Sequence, residues 1–72
     1  MAKLTERENE ILQMVLEEVS TASIAQKLNI SKRTVDAHRR NIVKKAGTNN
    51  LIGLYKYALK TKLIKQETIN NL

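Results

Sequence analysis

Between Ser31 and Gly47 the run SKRTVDAHRRNIVKKAG reads as a single helix whose two sides differ in chemistry. Ser31 is a preferred N-cap, its side-chain oxygen placed to accept from the Thr34 amide. Gly47 stands where helices end in the left-handed conformation, and Lys44 and Lys45 meet the negative end of the helix dipole. At about 100° per residue, Val35, His38, Ile42 and Ala46 fall on one side. Arg33, Ala37, Arg40 and Lys44 fall on the other, flanked by Asp36 and Asn41. The run carries six of the 13 Lys and Arg but one of the 7 Asp and Glu, a net of +5 out of the chain's +6. One side is therefore built for burial and the other to meet negative charge. Arg at mid-helix beside small Ala37 suits the floor of a DNA major groove, where Arg reaches guanine bidentately. A charge run alone is more often the mark of a solvated face, so the flanking segments have to decide.

A chain of 72 residues makes one small domain with a marginal core. Without cysteine it has neither a disulfide framework nor a thiolate metal site. No proline, two glycines and helix-favouring residues throughout point to an all-α fold. The apolar runs are too short for a transmembrane span. Polar sequence follows Met1-Ala2-Lys3 where a signal peptide would be apolar, so the expected setting is cytoplasmic, without a membrane partner. A pI near 9.9 points to a polyanion or an anionic surface.

In chain order, Leu4-Thr5-Glu6-Arg7-Glu8 is a helix start. Thr5 and Glu8 form a capping box, and Leu4 before them is a hydrophobic staple. The first helix is expected over 6–18, with Ile11, Leu12, Val15 and Val19 as its inward stripe and a net acidic surface. Ser20 caps a short helix over 21–28 with Ile24, Ala25 and Leu28 apolar. In the turn Asn29-Ile30-Ser31, Asn29 tolerates the left-handed conformation and Ile30 plugs the core. A short helix, a tight turn and a longer basic helix make a helix-turn-helix, with helix N-terminal amides available to a phosphate. Asn49 or Asn50 caps a fourth helix over 50–62, with Leu51, Leu54, Tyr55, Ala58 and Lys62 on one face. Ile52 and Leu59 give it a second apolar edge. Residues 65–72 show no periodicity and read as a frayed tail, leaving 1–72 as one domain with its core over 4–64.

The chain resembles the LuxR-type (GerE-like) helix-turn-helix effector domain of bacterial response regulators and quorum-sensing regulators. The resemblance is carried by Leu4-Thr5-Glu6-Arg7-Glu8, Ile24-Ala25 with Leu28, Ile30-Ser31, Thr34-Val35 with His38, Asn41-Ile42 with Lys45, and Gly47 with Asn49. It implies a four-helix bundle in which the second and third helices read double-stranded DNA. It also implies that the fourth helix often mediates dimerisation. The surplus apolar edge at Ile52 and Leu59, with Tyr55, is the candidate contact, and its small size leads to the expectation of pairing mainly on DNA. Position by position the resemblance makes Asp36, Ala37 and Arg40 base-facing. Thr34 would contact phosphate, with Lys32, Arg33, Arg39 and Lys44 as neighbours in that role. An upstream sensory or receiver domain usually accompanies such a module.

The chain departs from the family at several places. Glu18 stands where the family usually has glycine, and Ala46 where it has leucine, a gap that Val43 or Tyr57 would fill. Asn50 replaces the usual arginine after Asn49, and Asp36 replaces a frequent lysine. The reading favoured for Asp36 is a pair with Arg39 or Arg40, with acceptance of a hydrogen bond from cytosine as the alternative. His38, the only histidine, reads as a packed ring rather than a ligand, and no metal or other cofactor is expected. No nucleophile–base constellation or glycine-rich phosphate loop marks an enzyme. The competing function is an adaptor whose basic helix binds an acidic protein.

Overall fold

The computed structural model describes residues 3–61. Lys62 and the tail expected over 65–72 lie outside the described residues. Four helices follow one another: α1 (Glu6–Leu16), α2 (Thr21–Leu28), α3 (Lys32–Ala46) and α4 (Leu51–Lys60). Each start is made by the side chain that the sequence offers there. Thr5 Oγ1 accepts from the Glu8 amide at 3.1 Å, and Glu8 Oε1 accepts from the Thr5 amide at 2.9 Å, completing the capping box. Ser20 and Ser31 cap α2 and α3 through the amides of Ser23 and Thr34, both at 3.1 Å. Asn50, rather than Asn49, caps α4, accepting from the amides of Ile52 and Gly53. Asn50 therefore lies outside the helix, which ends at Lys60 with Thr61 as its cap, instead of running over 50–62.

The ends of α1 and α2 share one geometry. Asn29 takes the left-handed conformation (φ 57°, ψ 45°), and the Ile30 amide reaches back to the Ala25 carbonyl at 3.0 Å. This six-residue closure is a Schellman motif. Helix α1 closes the same way, with the Val19 amide on the Met14 carbonyl at 2.9 Å and Glu18 in the left-handed position at φ 60°. The expected helix over 6–18 is thus corrected to 6–16, because Glu18 must reverse the chain for Val19 to pack and Ser20 to cap α2. The left-handed conformation disfavours a residue bearing Cβ by roughly 1–2 kcal/mol. Glu18→Gly should raise stability by about 1 kcal/mol, read as a higher urea midpoint at unchanged slope. An unchanged or lower midpoint would mean that Glu18 makes compensating contacts.

Helix α3 packs against α1, α2 and α4 and is the centre of the molecule. The core is Ile11 and Leu12 from α1, Ile24 and Ala25 from α2, Val35 and Ile42 from α3, and Leu54 and Ala58 from α4. Leu4, Val15, Val19, Leu28, Ile30 and Ala46 are half-buried around it. Tyr57 packs on this core too, whereas Val43 is turned elsewhere. Leu51 does not join the buried face of α4; it is exposed beside Ile52, which is 68% exposed. Gly53 lets α4 approach the preceding turn closely, since a Cβ there would lie 2.7 Å from Thr48 Cγ2. The Thr48 hydroxyl accepts from the Asn50 amide at 3.1 Å, within the turn between α3 and α4.

Candidate nucleic-acid interface

The side of α3 that faces away from the core is a cationic stripe. Val35 and Ile42 are buried, while Lys32, Arg33, Thr34, Asp36, Arg40 and Lys44 are exposed and Ala37 is half-buried between them. The ion pairs among the described residues are Arg7–Glu10 and Lys45–Glu8. Lys32, Arg33, Arg40 and Lys44 are thus cations with no carboxylate partner there, free to meet an external anion.

Lys45 has a different task. Its Nζ donates to Glu8 Oε1 at 2.7 Å and to the Lys3 carbonyl at 3.1 Å, tying the last turn of α3 to the start of α1. Glu8 is 3% exposed, so it belongs to the interior and not to the solvated acidic face that the sequence suggests for it. Burial by itself raises its pKa. The hydrogen bonds from Lys45 and the Thr5 amide, with the positive charges of Lys45 and His38, outweigh that and hold it below the ordinary 4.5.

Arg39 is half-buried, and its Nη1 donates to Thr21 Oγ1 at 3.2 Å, linking α3 to the first residue of α2. It sits at the edge of the stripe, between the two helices of the helix-turn-helix. The pair expected between Asp36 and Arg39 or Arg40 is absent, since Arg39 is turned to Thr21 and Arg40 points to solvent. Asp36, Arg40, Val43 and Lys44 line a shallow concavity that continues to Asn49 beyond the helix. Val43 could have been found from the helical period, because it falls beside Asp36 and Arg40. Asn49 had no such signal, being placed by the turn after Gly47. Tyr55 and Leu59 are half-buried on α4, and with Ile52 they leave an apolar edge at the surface.

Residues 2–58 match the family described as bacterial regulatory proteins, luxR family. The chain belongs to the LuxR family. As a member it is a helix-turn-helix DNA-binding regulatory domain, and α2 and α3 are its helix-turn-helix. Among individual proteins it is similar to an uncharacterized response regulatory protein, YgeK, of Escherichia coli K12, at 43% identity over 58 residues. That match covers 81% of this chain and 40% of YgeK. It is also similar to the oxygen regulatory protein NreC of Staphylococcus aureus, at 40% identity over 62 residues, covering 86% of this chain and 29% of NreC. The chain thus spans less than half the length of these curated relatives. No solved structure matches it. Among the described residues, no helix of this LuxR-family domain is long and apolar enough to cross a membrane.

Proposed function

We propose that this LuxR-family domain binds double-stranded DNA sequence-specifically, with α3 in the major groove. Asp36, Ala37 and Arg40 face the bases, and Lys32, Arg33, Thr34, Arg39 and Lys44 lie along the phosphates. The observation that carries the reading is the exposed stripe of four cations, without carboxylate partners among the described residues, on the second helix of its helix-turn-helix. Half-buried Ala37 lets the backbone approach the base edges, and exposed Arg40 has the reach and the donor fork to read guanine. By likeness to the response regulatory protein YgeK, the domain serves a response regulator whose sensory or receiver part lies elsewhere in the protein, and its setting in this reading is the cytoplasm.

Salt titration tests the electrostatic half of this reading. Log affinity should fall linearly with log salt, by roughly 0.9 per phosphate neutralised. Lys44→Ala should weaken specific and random duplexes about equally and flatten that slope by about one unit. An unchanged slope removes Lys44 from the interface. Failure of the wild-type chain to bind any duplex would return the stripe to an acidic protein partner.

Two domains pair through α4 on adjacent half-sites in this reading. Ile52 at 68% exposure, with Tyr55 and Leu59 behind it, provides a small self-complementary edge. An edge of that size pairs weakly, so the free domain is expected to be monomeric and to pair on DNA. Ile52→Glu should abolish two-site cooperativity and leave half-site affinity and the thermal midpoint unchanged. Retained cooperativity would place the pairing surface elsewhere.

A further inference from the structure

Asp36 is the only acidic residue on α3, and it lies on the cationic stripe. Cations stand at all four positions from which a helical neighbour could neutralise it: Lys32 and Arg33 one turn before, Arg39 and Arg40 one turn after. None of them pairs with it. Arg39 is committed to Thr21, and the carboxylate stays exposed in the concavity it shares with Arg40 and Lys44.

An unneutralised carboxylate on a phosphate-facing helix weakens binding to every duplex alike. Such a residue gains a use only where the duplex offers it a donor. A carboxylate accepts and does not donate. In the major groove guanine presents N7 and O6, and thymine O4, all of which repel it. Adenine offers its N6 amino group beside the N7 lone pair, which opposes the second carboxylate oxygen. Cytosine offers the N4 amino group with only C5–H beside it on its own edge, the neighbouring acceptor being O6 of its paired guanine. We infer that Asp36 is a specificity-determining residue that accepts a hydrogen bond from the amino group of a cytosine near the guanine read by Arg40. This rests on the duplex-binding reading of α3 given above. Asp36 and Arg40 are one turn apart, about 6 Å along the axis. With base pairs stacked about 3.4 Å apart, the cytosine lies one or two steps from the guanine. Asp36 thereby gives up affinity for all DNA and gains discrimination between sites, because specificity is a difference of affinities.

Selection from randomised duplexes tests this with the wild-type chain, Asp36→Ala and Asp36→Asn, each checked for its helical circular dichroism. The wild-type chain should select cytosine one or two steps from a guanine, with about tenfold discrimination at that position. Asp36→Ala should lose the cytosine, keep the guanine and bind random duplex more tightly. Asp36→Asn should move the preference to adenine, which matches an amide side chain. The assignment is overturned if Asp36→Ala selects the wild-type site unchanged. It is also overturned if the guanine preference collapses while the cytosine persists, since Asp36 would then only position Arg40. A wild-type chain that selects no duplex overturns both this assignment and the reading it rests on.

Discussion

Lys45→Met should destabilise the domain by about 3 kcal/mol, a large part of the roughly 5 kcal/mol that a domain this small commands. The substitution keeps most of the volume and the helix propensity of lysine but removes the one side-chain cation bonded to a buried carboxylate. The side chains of Glu8 and Lys45 are 5% and 23% exposed, so solvent replaces the lost partner poorly. Breaking such a pair from one side leaves an uncompensated charge indoors, which costs more than the pair itself contributes. The pH dependence identifies the mechanism. Because the folded pKa of Glu8 lies below the ordinary 4.5, its contribution is fully present above the unfolded value and is lost as pH falls through the folded one. Protonated Glu8 no longer needs a cation, so the deficit of Lys45→Met against wild type should shrink in acid. Urea unfolding of both chains at neutral pH and at pH ~3 measures this. A deficit equal at both values would assign the loss to packing of the lysine stem and not to charge.

Arg40→Ala should cost about 2 kcal/mol on the preferred duplex, roughly thirtyfold in affinity, and leave random duplex weakened only by the loss of one cation. Arg40 is exposed and makes no ion pair among the described residues, so its removal leaves the core and every cap of α3 untouched. The thermal midpoint should therefore hold while selection from randomised duplexes loses one guanine. Arg40→Lys should recover the random-duplex affinity but not the guanine, because an ammonium lacks the planar fork. Equal losses on all sequences would make Arg40 a phosphate contact and not a base reader.

The features readable from sequence are those whose partners lie within a turn or two along the chain. Thr5 with Glu8, Ser20 with Ser23, Ser31 with Thr34 and left-handed Asn29 and Gly47 are all local arrangements, and all are formed. Period alone also places Val35 and Ile42 on the inside of α3 and Arg33, Arg40 and Lys44 on its outside. What the sequence leaves illegible depends on contacts between residues distant along the chain. Glu8 and Lys45 are 37 positions apart, and Arg39 and Thr21 are 18 apart, so neither contact has a local signature. Each turns a residue away from the role its charge suggests: Lys45 from the phosphate face, Glu8 from solvent, Arg39 from Asp36. Glu18 misled for a related reason. Its helix propensity extends α1 on paper, while the packing of Val19 and the cap at Ser20 require the chain to reverse there. Leu51 shows the limit of periodicity, since the hydrophobic face of α4 is wider than the core it meets.

On the proposed reading, the outward stripe of α3 is the surface that meets duplex DNA. Amide chemical shifts of the labelled domain, followed during titration with a short duplex at low salt, locate that surface directly. The largest changes should fall on the amides of Lys32 to Lys44, with smaller ones at Thr21, and should fade as salt is raised. The amides of Glu6 and Glu10 on α1, and of Glu17 at its C-cap, should stay in place. Changes centred on α1 or α4, with α3 undisturbed at any salt concentration, would place the DNA-binding surface elsewhere.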